Sequence, residues 1–235
     1  MKRPSLLLAL LALLYACKKD DAPDVLRPQA TTPGQIRFDA LAIGQVSHYL
    51  GLNGHHYHPA IVDSPFEYTD DTLRLEIVAQ DANGYKVAET LHYVGEVNTW
   101  IDGSLMDSTF YYYLRVSNDT LHFTPIGSPY VFSRIFRNPV SRNGLPLGKI
   151  ESPKVEIKDW RSTFPSWAKR WEGYTENYTL FGKTYDHLNV IVENTAMAVD
   201  GPGETYVFSK PYGIVRFSEY GGWPQAGYGW DLIPE

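Results

Sequence analysis

The chain has 235 residues, with 27 Asp and Glu against 21 Lys and Arg, for a formal charge of −6. That balance lacks the basic patches that phosphate contacts require, so no nucleic-acid partner is expected. A single cysteine excludes an intrachain disulfide and leaves stability to the core, while an aromatic share of 14%, with 17 Tyr and 6 Trp, favours strands.

Lys2 and Arg3 precede a nearly continuous Leu and Ala run over residues 5–16. The run has the length of a signal-peptide core and falls short of the ~20 apolar residues that span a bilayer. It also lacks the polar face of a buried amphipathic helix. Leu14-Tyr15-Ala16-Cys17 resembles a bacterial lipobox, with Tyr15 bulkier than the small residue usual at that place. The resemblance implies cleavage after Ala16 and acylation of Cys17. Two or more acyl chains hold a protein to a membrane stably, at ~0.8 kcal/mol per buried methylene, where one chain binds marginally.

Lys18, Lys19, Asp20 and Asp21 follow the cysteine and resemble the lysine-plus-acidic export signal of Bacteroidota lipoproteins. That resemblance implies an outer-membrane, lipid-anchored protein turned to the cell surface. An ordinary charged tether is the competing reading. Residues 17–33 read as the lipidated cysteine and a flexible, proline-containing spacer, and 34–235 as one β-rich domain of roughly 200 residues.

From Phe38 onward, short β-branched and aromatic runs alternate with turn residues, which predicts an all-β, mainly antiparallel fold. The best strand candidates are 45–50, 72–79, 86–94, 109–116, 120–125, 178–181, 188–193, 204–208 and 213–218. Asp81-Ala82-Asn83-Gly84 and Ser117-Asn118-Asp119 read as hairpin turns, and Asp200-Gly201-Pro202-Gly203 as a turn before a strand. Tyr111, Tyr112 and Tyr113 alternate faces. Residues 162–171 carry cap and first-turn signals for one short helix. Asp71-Thr72-Leu73 recurs as Asp119-Thr120-Leu121, more simply a shared turn-to-strand junction than a duplication.

The segments 178–191 and 204–217 resemble a hairpin pattern of exported bacterial proteins of unassigned role, with Gly182, Asp186-His187-Leu188-Asn189-Val190 and Tyr206-Val207-Phe208-Ser209-Lys210-Pro211-Tyr212-Gly213-Ile214-Val215 at the matching places. This resemblance implies one strongly curved or half-barrel sheet, like the lipoprotein carriers of the LolA and LppX type; one or two short helices are expected beside it. It carries no catalytic residues. Read residue by residue, Val207, Ile214 and Val215 supply core side chains, Lys210-Pro211 a turn, and Gly213 a backbone position that a Cβ would disturb.

Chemistry-bearing candidates are few. His56 and His58 would share one face of a strand at a spacing suited to two metal ligands, with His48, Glu67 or His92 as a third; an exposed polar loop is the simpler reading, and no metal or cofactor is expected. Asp70-Asp71 reads as solvated carboxylates in a turn. No nucleophile elbow, phosphate loop, dinucleotide fingerprint or zinc-helix motif occurs, so an enzyme has no affirmative support, though a hydrolase without a recognisable motif stays open.

Tyr220, Trp223, Tyr228 and Trp230 cluster among glycines and are candidates to stack on a sugar or anchor a partner; closing one mouth of the sheet is the competing reading. The expected function is therefore a non-enzymatic envelope lipoprotein that binds an apolar or amphipathic ligand or a protein partner. A surface glycan-binding module is the alternative.

Overall fold

The computed structural model describes residues 34–54, 66–93, 109–127, 133–136, 144–158, 161–162, 170–194, 203–220 and 227–235. The strands are β1 (Val46–Gly54), β2 (Phe66–Asp81), β3 (Gly84–His92), β4 (Thr109–Ser117), β5 (Thr120–Pro125), β6 (Leu145–Pro146), β7 (Ile157–Lys158), β8 (Arg161–Ser162), β9 (Arg170–Leu180), β10 (Lys183–Asn194), β11 (Gly203–Ser209), β12 (Gly213–Tyr220) and β13 (Gly227–Ile233). Each of β1 to β6 pairs with its sequence neighbour, as does each of β9 to β13, and β13 pairs antiparallel with β1. The result is one eleven-stranded antiparallel sheet, strongly curled into a half-barrel, with β6 and β9 at its edges. The β7–β8 pair stands apart from it.

Alternation in the sequence becomes alternation across the sheet. In β4, Phe110, Tyr112 and Leu114 point inward while Tyr111 stays exposed. Register puts Tyr49 opposite Leu73 on one side and Leu232 on the other, and Leu73 opposite Leu91, so one inward row crosses four strands. Phe217 continues this face, opposite both Trp230 and Tyr206.

Among the described residues the inward side chains pack into one continuous core. Tyr112, Phe123 and Phe136 pack with ring centroids 4.8 to 5.6 Å apart. Fully burying each such ring or leucine stabilises by about 1.5–3 kcal/mol. Segment 133–136 enters the concavity held by Glu89, whose carboxylate accepts from Ser133 Oγ and the Arg134 amide, both at 2.5 Å.

Consecutive residues of β11 and β12, from 204 to 208 and from 213 to 218, are all buried, so this half of the sheet is covered on both faces. On the outer face, Arg216 meets Asp231 directly across the β12–β13 pair in a two-pronged contact at 2.5 Å. Burial works against the Arg216 charge, yet the hydrogen bonds and charge of Asp231 outweigh it and raise the guanidinium's pKa. Tyr68 donates its hydroxyl to Asp231 Oδ2 at 2.9 Å, and the Tyr178 ring lies 5.7 Å from the Arg216 guanidinium. The tip of the β9–β10 hairpin thus lies over the outer face, its Phe181 packed against Tyr68 of β2.

Three short connections share one end of the sheet. Ala82-Asn83 and Asn118-Asp119 match the expected turns, and residues 210–212 link β11 to β12 with Lys210-Pro211 as foreseen. The β9–β10 turn, Phe181-Gly182, which lies over the outer face by Tyr68 instead, has φ values of 48 and 79°, the positive pair of a type I′ turn. Asn118-Asp119, at 50 and 57°, fills the same conformation with residues that tolerate it. A phenylalanine there costs roughly 1–2 kcal/mol of backbone strain. The N-terminal segment joins this end: Phe38 and Asp39 donate their amides to the Lys210 carbonyl, and Gln35 donates to the Tyr212 carbonyl. Gly213, at φ 66°, lets the Ile36 carbonyl approach to 2.5 Å of where a Cβ would stand. Residues 55–65, 94–108, 195–202 and 221–226 lie outside the described residues.

Several expectations need correction. Asp70-Asp71 lies inside β2 rather than in a turn, and Asp71 is buried, its carboxylate accepting from Thr69 Oγ1; Asp71-Thr72-Leu73 and Asp119-Thr120-Leu121 therefore occupy different settings. The expected helix over 162–171 has strand at both ends, Ser162 in β8 and Arg170 and Trp171 in β9, while 163–169 fall outside the described residues. No helix occurs among the described residues. The strand expected at 178–181 is the end of an eleven-residue strand, and the tail expected to close a mouth contains β13, which joins the two halves of the sheet.

Candidate functional site

The two segments that resemble the exported-protein hairpins converge. Asn189 of β10 sits inside the mouth of the half-barrel at 3% exposure. Its Nδ2 donates to the carbonyls of Gly148 at 2.7 Å and Pro146 at 3.4 Å, and its Oδ1 accepts from the Ile150 amide at 3.1 Å. One amide side chain therefore straps residues 146–150 across β10. The Leu147 amide in turn donates to the Asp119 carbonyl at 2.7 Å, and the Asp119 carboxylate pairs with the Lys210 ammonium.

Between these parts lies a cleft of about 400 Å³, lined by Leu147, Gly148 and Lys149, by His187 and Asn189, and by the Ser209-Lys210-Pro211 turn. His187 stacks on Tyr174 of β9 at 4.9 Å and 14°. His187 Nε2 and Ser209 Oγ are buried and have no hydrogen-bond partner among the described residues, nor are they bonded to each other. Unpaired buried groups of this kind cost about 1–3 kcal/mol each. The cleft is thus apolar along Leu147 and Pro211, offers an imidazole and a hydroxyl beneath, and carries Lys149 and Lys210 on its rim.

The neighbouring edge is protected. Residues 153–155 run beside β9, with the Val155 amide donating to the Tyr174 carbonyl at 2.7 Å and the Tyr174 amide to Pro153 at 3.0 Å. Arg170 pairs with Glu193 and reaches the Gly144 carbonyl at 3.4 Å, tying β9 to the stretch before β6. Covering an edge in this way removes a template for strand pairing with other chains. A second cleft of about 390 Å³, with Phe38, Asp39, Asp81, Tyr85 and Arg115 on its walls, opens beside the β2–β3 turn.

No family model, curated protein or solved structure matches this chain.

The residues singled out in sequence are scattered. Trp230 is 3% exposed and packs in the core beside Phe217, and Tyr228 is half-buried with its hydroxyl donating to Glu219 at 2.7 Å. Tyr220 ends β12, and Trp223 lies outside the described residues. Cys17, Lys18, Lys19, Asp20 and Asp21, together with His56 and His58, also lie outside them. Among the described residues no three His, Cys, Asp or Glu side chains are placed to hold a metal ion, and no helix is long and apolar enough to cross a membrane.

His187, Ser209 and Lys149 were not singled out as site residues. The first two lie within the quoted hairpin segments, so the signal was present but read as turn and strand chemistry. Lys149 sits in a stretch without periodicity, which the Asn189 strap and the Leu147–Asp119 contact bring to the mouth.

Proposed function

We propose that this chain is a lipid-anchored envelope protein that binds a ligand rather than transforming it. Cys17 carries the acyl chains, Lys18 to Asp21 direct export to the outer membrane and its outer face, and the half-barrel displays the mouth cleft. The ligand is amphipathic, with an apolar portion against Leu147 and Pro211 and an anionic group toward Lys149. The observation that carries this reading is the convergence of the two hairpin segments on one cleft with an unpartnered imidazole and hydroxyl. The continuous core among the described residues supports a ligand held at the mouth over one enclosed in the barrel. The resemblance to LolA- and LppX-type carriers enters this reading through sheet curvature and envelope location.

The test uses dodecanoate and lysophosphatidate as single-chain anionic probes, titrated calorimetrically into the protein. Saturable binding that Lys149→Glu weakens, while dodecanol binds more poorly than dodecanoate, supports the reading. No heat from either probe, or affinity indifferent to Lys149→Glu, removes the cleft from consideration. The anchor is tested separately by following Cys17→Ala in membrane and soluble fractions, where loss from the membrane is expected.

A further inference from the structure

The outer face holds a second feature, independent of the mouth cleft. Phe181 occupies the first place of a type I′ turn at φ 48°, a place that Asn fills readily and a phenyl ring does not. Backbone strain retained at an exposed tip points to a use for the side chain. The Phe181 ring is 44% exposed and the Tyr68 ring 48%, their centroids 5.2 Å apart at an interplanar angle of 40°.

The pair is rigidly mounted. Tyr68 is fixed by its hydrogen bond to Asp231, and burial followed by the Asp231 charge pushes its phenol up to about 12, so it remains a neutral donor at physiological pH. Asp231, which holds Tyr68, is itself balanced by Arg216. Beside the turn, the exposed hydroxyls of Thr179 and Thr184 share a hydrogen bond at 2.9 Å.

We propose that Tyr68 and Phe181 form a stacking platform for a neutral pyranose ring of an oligosaccharide. Aromatic faces held in place pack against the C–H face of a sugar with little ordering cost, and the neighbouring hydroxyls suit its edge. The balanced ion pair favours a neutral ligand over a cation or an anion. A protein partner would need about 800 Å² on each side, far beyond two rings. This platform is separate from the C-terminal Trp and Tyr cluster, of which Trp230 packs in the core.

The experiment titrates cellohexaose, laminarihexaose, maltohexaose and mannohexaose into the full chain by calorimetry. At least one hexasaccharide binds, and Phe181→Asn and Tyr68→Ala each weaken it about tenfold or more. Phe181→Asn melts at or above the wild-type temperature, because Asn suits the turn, so its loss of binding is not a loss of folding. Lys149→Glu, which tests the mouth cleft, leaves hexasaccharide binding unchanged. Binding of none of the four sugars, or affinity untouched by both ring variants, overturns the proposal. So does a sedimentation shift showing that Phe181→Asn instead dissolves a self-associated form.

Discussion

Asn189→Ala should both destabilise the fold and loosen the mouth. The side chain is buried and forms two well-placed hydrogen bonds, to Gly148 at 2.7 Å and Ile150 at 3.1 Å, with a longer third to Pro146 at 3.4 Å. At about 0.5–1.5 kcal/mol per bond, plus the cost of leaving partly buried backbone groups unpaired, the loss comes to ~2–3 kcal/mol. For a domain of this size that lowers the melting temperature by roughly 4–12 °C. Urea unfolding followed by tryptophan fluorescence reads the stability, and hydrogen exchange reads the Ile150 amide directly. That amide should exchange faster in the variant, because its acceptor is gone. Asn189→Asp keeps the acceptor but places a carboxylate against two carbonyls, so it should be at least as destabilising near neutral pH and recover as the pH falls. A change below ~0.5 kcal/mol with unaltered Ile150 exchange would refute the strap and leave residues 145–150 held by Leu145 and Leu147 alone.

Other perturbations probe separate parts of the account. Removing one member of the buried Arg216–Asp231 pair, by Asp231→Asn or Arg216→Met, should cost about 3–5 kcal/mol, while Arg216→Met with Asp231→Leu should cost much less than the sum; additive losses in a denaturant-based double-mutant cycle would contradict this. Burial raises the Glu89 carboxyl above its ordinary value of 4.5, against the opposing hydrogen bonds from Arg134 and Ser133. A group raised in the folded state contributes stability below its unfolded pKa and loses it as pH rises through the folded one. Glu89→Gln should therefore gain on the wild type as pH climbs above 4.5, and a difference constant with pH would count against it. Gly213→Ala should cost more than ~2 kcal/mol, combining left-handed strain with the close Ile36 carbonyl, whereas Gly182→Ala, with open space around it, should cost only the ~1–2 kcal/mol of strain; equal losses in thermal melts would show that the Ile36 contact is immaterial.

Strand class and the principal turns were legible because they rest on local signals, whereas the curvature was expected only through the resemblance of the hairpin segments. Alternation in residues 109–116 and the residues Asn118-Asp119 act within a few positions, and the structure follows them. Strand β13 was hidden because glycines and aromatics in 227–233 resemble loop composition, and only pairing with β1 and β12 makes it a strand. Asp71 misled because a buried acidic residue is rare without a partner, and its partner, Thr69, lies on the same inward face two residues away. The cleft was illegible for a related reason. Asn189 looks like any polar strand residue until residues 146–150 are laid over it, a contact some 40 positions distant in sequence. Phe181 carries the opposite lesson, since a turn residue at odds with its conformation can be recognised only once φ is known.

The central claim is an envelope protein anchored through Cys17 that carries a ligand at its mouth. Native mass spectrometry of the protein extracted from its own membrane tests it most directly. The account predicts a chain beginning at Cys17 with the added mass of at least two acyl groups, together with a released amphipathic anion that Lys149→Glu depletes. A chain still carrying residues 1–16, or one beginning elsewhere without acyl mass and without a bound small molecule, would contradict it.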